Sequence, residues 1–373
     1  MCETPPRPRS AAPTPTRGTP RFPNPSTNRI FWPSLTHLND MRMPFRRNGT
    51  TLSLATMIGA VTILLGDALP AQAPRRPSAK DGTPPTAVSV QAVSLLGDTL
   101  RTLPLSAAVR TRYEAQLAEA RRAYEHTPTN VDSLIWYARR LGYLGQLRES
   151  IEIYSRGIAR YPNNPWLYRH RGHRYISVRD FPKAIRDLER ATALVKGKPD
   201  IMEEDGQPNA QNKPIGTLHS NIGYHLALAY YLQGNFAKAA AAAREEFDAA
   251  TNDDRRVSMA HWLYLSLRHA GRHDDARRLV APMRKDMNIV ENEAYHRLMM
   301  LYKGELAPEA TLTVGSDGQF SVTDASTAYG VANWYLLNGR QREGEQLLQR
   351  IVRAGQWGAF ATIAAETQLA RMK

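Results

Sequence analysis

The sequence predicts an all-α fold, a solenoid of stacked helix pairs. Three features predict it: a repeat near 34 residues, a turn glycine inside most copies, and small residues recurring at two fixed places. In the copy from Val131 to about Asn164, Leu134, Tyr137, Ala138 and Leu141 precede the turn at Gly145, and Ser150, Tyr154 and Pro162 follow it. The next copy has Tyr168, Gly172 and Tyr175, then Arg179-Asp180-Phe181 at the turn, then Ala184, Leu188 and Ala191. A third has Leu226, Ala227 and Tyr230, the turn Gly234-Asn235-Phe236, then Ala239 and Ala243. A fourth carries Leu263, Tyr264, Leu267, Gly271 and Ala276, and a fifth Val331, Ala332, Tyr335, Gly339 and Leu348.

These positions resemble the tetratricopeptide repeat, whose pattern is W-x2-L-G-x2-Y, then A-x3-F, then P. The resemblance covers most of residues 105–373. It implies antiparallel helix pairs stacked into a right-handed superhelix, with small residues at repeat positions 8 and 20 where two backbones come close. Side-chain volume is what such a crossing excludes, so the alanine run in "YYLQGNFAKAAAAAREE", residues 230–246, is expected to be a packing face. Gly344 departs from the pattern by standing where the second-helix alanine belongs, and the closing proline is missing from most copies.

The residues ahead of the array read as an address. Residues 1–40 are rich in Pro, Arg, Ser and Thr and are expected to be disordered, since they cannot bury enough apolar surface to offset ordering. Residues 41–73 run from the basic "MRMPFRRNGT" through the apolar "TLSLATMIGAVTILLG" to a small-x-small site at Ala71 and Ala73. That is the pattern of a secretory signal. Its apolar core is shorter than the roughly 20 residues of a spanning helix, so cleavage is expected and stable membrane insertion is not. Arg46-Arg47 permits a twin-arginine export route beside the general one. Met41 and Met43 offer alternative starts, which would make residues 1–40 a start assigned too early. Residues 74–104 are expected to be an extended segment leading into the solenoid.

Two stretches interrupt the array. The insertion at 195–216, "VKGKPDIMEEDGQPNAQNKPIG", carries the acidic cluster Glu203-Glu204-Asp205 among turn formers. A loop of that length is functional or mobile. At 288–324 a helix near "ENEAYHRLMMLYKGE" leads into "TLTVGSDGQFSV", whose alternation around Ser-Asp-Gly suggests a short hairpin, as if one repeat had lost its second helix. From residue 257 onward the chain is also similar in order and spacing to periplasmic repeat lipoproteins that act as adaptors for envelope proteases and cell-wall hydrolases. It differs from them in having no cysteine at the cleavage site to carry lipid.

The only cysteine is Cys2, which excludes disulfides, a thiolate nucleophile and cysteine-bound zinc from the body. There is no Gly-rich phosphate loop, no H-E-x-x-H and no G-x-S-x-G, so neither an enzyme nor a cofactor is expected. His170 and His173 share a helix face but lack a third ligand, and Gly271 places a turn between His269 and His273. Asp253-Asp254 and Asp274-Asp275 fall where helix starts attract acids.

The formal charge is +14, of which +9 lies after residue 73. Such an excess favours acidic partners or an anionic surface. The tetratricopeptide resemblance implies that first-helix positions line a concave groove. Here those positions are Trp136, Arg139 and Tyr143; Trp166, Arg169, His170 and His173; Asn221, Tyr224, His225 and Tyr231; and His261, Trp262, Arg268 and His269. Acids are nearly absent from the set, Asp132 being the exception. Aromatic and Arg side chains are the anchors of peptide recognition, and Arg holds a carboxylate through two parallel hydrogen bonds. The expected function is therefore an exported scaffold or adaptor, periplasmic or secreted, binding a protein or peptide with acidic groups and not nucleic acid. The alternative is a module for cell-wall or other envelope polysaccharide, since the same rings could stack on sugars.

Overall fold

The computed structural model describes residues 89–313 and 320–373, so the expectations for the leader, the signal and the Ser316-Asp317-Gly318 turn lie outside the described residues. Two short antiparallel strands, β1 (Val90–Val93) and β2 (Thr99–Arg101), precede α1 (Ala107–His126). The repeat pairs follow: α2 (Val131–Tyr143) with α3 (Leu147–Arg160), α4 (Pro165–Ser177) with α5 (Phe181–Val195), α6 (Leu218–Gln233) with α7 (Phe236–Asp248), and α8 (Asp253–His269) with α9 (His273–Val280). Then come α10 (Glu293–Lys303) with the single-turn α11 (Pro308–Thr311), α12 (Val322–Leu337) with α13 (Gln341–Arg353), and a closing helix α14 (Phe360–Met372). The described residues form an α-solenoid of antiparallel helix pairs in series, the fold class expected from the repeat.

Local chemistry sets these boundaries. First helices open on side chains that accept the free N–H groups of their first turn: Asn130, Asn164, Thr217, Asn252 and Ser321. The turn after most first helices holds a glycine in the left-handed region, as at Gly234 with φ 86°. His269 ends α8 and His273 begins α9, so the two do not share a helix. In the 288–324 stretch Thr311 closes α11 and Val322 opens α12, so the ends of the expected hairpin are helical. A four-residue α11 is what remains of that repeat's second helix.

Small residues sit where the helices cross. Ala138, Ala184, Ala239, Ala243 and Ala276 are all buried, whereas Ala237 and Ala241 on the outer side of α7 are exposed. The alanine run of α7 is thus half contact face and half helix-favouring surface. At Gly344 the approach is tighter still: a β-carbon there would stand 2.9 Å from the carbonyl oxygen of Ala332 and 2.5 Å from Leu336. An alanine does not fit, which accounts for the departure from the repeat pattern.

Asp254 does more than favour a helix start. Its carboxylate, buried, accepts the backbone N–H groups of Val290, Glu291 and Asn292 at 2.8–2.9 Å, pinning the entry to α10. Asp274 and Asp275 pair instead with Arg277 and Arg278 on the surface of α9.

The array closes on itself. At the α4–α5 turn, where five other pairs place glycine, Arg179 takes φ 66°. A left-handed conformation costs a non-glycine residue about 1–2 kcal/mol, and the side chain shows what offsets it. Arg179 donates from Nη2 to Glu366 of α14 at 2.7 Å and to the Trp357 carbonyl at 3.0 Å, both members of the ion pair being almost wholly buried. Glu366 also accepts the Leu95 N–H at 2.7 Å, and the Trp357 indole donates to the Arg101 carbonyl. The strand pair and α14 are thereby drawn against the second repeat, and Arg371 of α14 donates to the carbonyls of Tyr231 and Leu232 at the end of α6.

Ala243→Leu is expected to lower stability by about 1–3 kcal/mol through overpacking, and Ala241→Leu by less than about 0.5 kcal/mol; urea denaturation of the two variants checks this. Arg179→Gly relieves the backbone but strands a buried carboxylate, so the same assay should show a loss of about 3–5 kcal/mol rather than a gain.

Candidate functional site

The inner side of the solenoid holds a cavity of about 400 Å³. Helical spacing aims the side chains into it: Arg139 and Tyr143 from α2, Arg169, His170, His173 and Arg174 from α4, Asn221, Tyr224 and His225 from α6, and Arg255, Ser258 and Met259 from α8. Asn292 and Tyr295 at the start of α10 complete the wall.

The 195–216 insertion forms its roof. Its ends are tied together by Glu203 N–H to Gly216 O at 3.0 Å and Leu218 N–H to Ile201 O at 2.8 Å. Its acidic cluster faces inward. Glu203 accepts from Arg169 at 3.1 Å and from the Asn221 amide at 2.7 Å, and it is buried. Arg139 donates to the Glu204 carbonyl at 3.0 Å and Arg140 to the Gly206 carbonyl at 3.2 Å. Packing is close, since a β-carbon on Gly206 would overlap the Tyr143 hydroxyl at 1.9 Å.

Eight of the sequence-predicted groove residues therefore meet around one volume: Arg139, Tyr143, Arg169, His170, His173, Asn221, Tyr224 and His225. The others do not line it. Trp136 is half-buried under Arg139, whose guanidinium carbon lies 4.2 Å from the ring centre, and Trp166 packs against His170 and the α5 end of the core. Tyr231, His261 and Trp262, expected on an open groove, are instead in the core: Tyr231 bonds Tyr329 at 2.8 Å, His261 bonds Tyr302 at 3.1 Å, and Trp262 donates to Tyr224 at 3.1 Å. Arg268 reaches the Leu337 carbonyl at 2.8 Å, away from the cavity, and His269 stacks on Phe236. In mid-array the inner helix face is covered by α12 at Tyr231, Trp262, Arg268 and His269, and by α10 at His261, so positions that face a hollow in an open solenoid face protein here.

Sequence reasoning missed Arg174 and the seating of Glu203. The second had a signal: the chain's one dense acidic cluster sits in an insertion facing a row of arginines.

The cavity sets buried histidines among arginines, with Glu203, Glu204, Asp205 and Glu291 also on its wall. Burial, and then Arg169, holds His170 well below the usual imidazole range; burial, and then Arg174, does the same for His173. Burial, with Arg169 next, pushes His225 down to about 3. Ser220 and Ser258 are committed to backbone hydrogen bonds at the starts of their own helices. No group of three or more His, Cys, Asp or Glu among the described residues is arranged to hold a metal ion. Four guanidiniums and four acids line the cavity, yet only Arg169 pairs with one of those acids, Glu203, while Arg255 pairs with Glu246 outside it.

No protein-family model and no curated protein matches the chain. Solved structures similar to it include MamA AMB-1, at 19% identity and TM-score 0.34 over 47% of this chain and 89% of that one. YrrB, described as a TPR protein with an unusual peptide-binding site, is 12% identical with TM-score 0.37 over 65% of this chain and 95% of its own. A tetratricopeptide repeat protein from Parabacteroides merdae is 15% identical with TM-score 0.40 over 71% and 94%.

The buried histidines set a pH dependence. His170, His173, His225, His261 and His269 are all held below their unfolded value of about 6.5, so the unfolded chain takes up protons that the folded chain refuses. Their contribution is present above that value and is lost as pH falls from it. Glu246, raised to about 7 by burial despite Arg255, works the other way with one proton. Urea unfolding should show stability falling by about 3–5 kcal/mol between roughly pH 7 and pH 5.5.

Proposed function

We propose that this protein is an exported adaptor that holds a partner protein by an acidic segment entering the arginine-lined inner cavity. The observation that carries the reading is unmet pairing inside that cavity: of Arg139, Arg169 and Arg174 only Arg169 is ion-paired, to Glu203, and the carboxylates of the other lining acids, Glu204, Asp205 and Glu291, reach none of the three. A solenoid of helix pairs is a scaffold for such a site, because stacking fixes several first helices around one inner surface. Export rests on the basic, apolar and small-x-small run of residues 41–73, and none of the described helices is long and apolar enough to cross a membrane.

The polysaccharide alternative asks for open ring faces. Trp136 lies beneath the guanidiniums of Arg139 and Arg140, and Trp166 lies against His170, so the rings best placed for sugar stacking are covered. The protein reading is preferred on that ground.

The test is capture of proteins from a bacterial envelope extract on the full chain and on Arg139→Gln/Arg169→Gln/Glu203→Gln, which neutralises both sides of the roof contact. The variant should keep its helical circular dichroism and lose the acidic proteins that the parent holds. Capture by the parent should weaken markedly from low to high salt, as charge screening requires. Equal recovery by both baits would remove the cavity from the binding site, and co-sedimentation with purified cell wall would favour the alternative. For export, N-terminal sequencing of the periplasmic form should begin at residue 74.

A further inference from the structure

Five arginines are buried in the described residues, and four have partners: Arg139 the Glu204 carbonyl, Arg169 the Glu203 carboxylate, Arg179 Glu366, and Arg255 Glu246. Arg174 has none. It is 8% exposed, lines the cavity, and its Nε is wholly shielded without a hydrogen bond; no acid lies within ion-pair reach of its guanidinium. Arginine cannot shed its proton to escape the cost of burial. An uncompensated buried guanidinium is therefore a standing penalty, of the kind found where a ligand is meant to remove it.

A second donor lies on the same helix face four residues earlier. His170 Nδ1 lies 3.0 Å from Arg169 Nη1, and an arginine can only donate, so Nδ1 accepts and the imidazole proton sits on Nε2. That N–H is buried and has no acceptor, because Glu203 stands 3.8 Å away, beyond hydrogen-bond reach. The two donors thus share the want of an acceptor, since none of the lining acids Glu203, Glu204, Asp205 and Glu291 hydrogen-bonds to either.

The facing helix makes room for the guanidinium at a glycine. A β-carbon on Gly142 of α2 would stand 2.7 Å from Arg174 Cζ and 2.8 Å from its Nε, so the guanidinium lies along a bare stretch of helix. The hydroxyl of Tyr154 is fully buried and also without a hydrogen-bond partner.

We propose that Arg174 and the His170 Nε2–H form an oxyanion seat for one compact carboxylate or phosphate group, beside the pair that Glu203 already makes with Arg169. This rests on the reading that the inner cavity is the binding site, and names the group recognised there. The acidic segment of a partner delivers that group, and the chain's own roof leaves its seat unfilled.

The probes are sodium acetate and inorganic phosphate, titrated into the full chain at constant ionic strength and followed by thermal shift and calorimetry. At least one should give saturable stabilisation. Acetate alone assigns a carboxylate seat and phosphate alone a phosphoryl seat. Arg174→Met should lower the affinity by about ten- to a hundredfold, the worth of a charge-assisted contact, and its unliganded form should melt above the parent because the unpaired cation is gone. Gly142→Ala, which pushes the guanidinium aside while keeping its charge, should weaken binding as well. No saturable shift with either anion, binding unchanged in Arg174→Met, or a lower melting temperature of unliganded Arg174→Met each overturns the proposal; the last would make Arg174 a structural residue. If protein capture works and neither anion binds, the seat falls and the adaptor reading stands. If the anions bind through Arg174 and no protein is captured, the adaptor reading falls instead.

Discussion

The buried ion pair between Arg179 and Glu366 converts an array into a closed body. A solenoid needs only contacts between successive repeats, and its two ends are ordinarily indifferent to each other. Here a side chain from the second repeat meets one from the last helix across 187 residues of chain, and the same carboxylate holds the backbone of the strand pair. Desolvating two charges is expensive and is recovered only when geometry and further hydrogen bonds are good. Three donors on Glu366 and a carbonyl for each remaining arm of Arg179 meet that condition. The left-handed backbone at Arg179 follows, since the turn conformation is inherited from the repeat while the side chain is required elsewhere.

Closure decides the character of the inner surface. An open superhelix offers a long groove to solvent, on which aromatic and basic first-helix residues would stand exposed. With α12, α14 and the 195–216 roof in place, the same face divides into a packed core around Trp262, Tyr231 and Tyr329 and a separate polar cavity around α2, α4 and α6. The aromatic residues stabilise the core, and among the cavity's cations Arg174 is left without a partner. That the roof presents Glu203 to Arg169 shows the cavity accepting a carboxylate from within the chain itself.

The repeat architecture was legible because it is written locally. Turn residues, cap asparagines and the alanines at helix crossings each act on their immediate neighbours, so Gly145, Asn164 or Ala239 can be read without knowing what lies across the molecule. The departures were visible too, yet their causes were not. Gly344 is explained by a carbonyl of the facing helix, and Arg179, in place of a turn glycine, by a partner far away in sequence. The groove residues were legible as a helix face; whether that face met solvent, protein or a roof depended on long-range closure.

By itself, the sequence determined the repeat helices, the pairing of neighbouring helices and the small-residue contacts between them, because each is settled by residues within about one repeat of each other. Tertiary structure alone decided that the array closes, that Trp262 and His261 are core while Arg174 is left unpaired, and that the acidic insertion folds over the basic helices. Those outcomes depend on desolvation and charge pairing between residues brought together only by the superhelix, and a one-dimensional pattern carries no record of which distant side chain removes which charge from water.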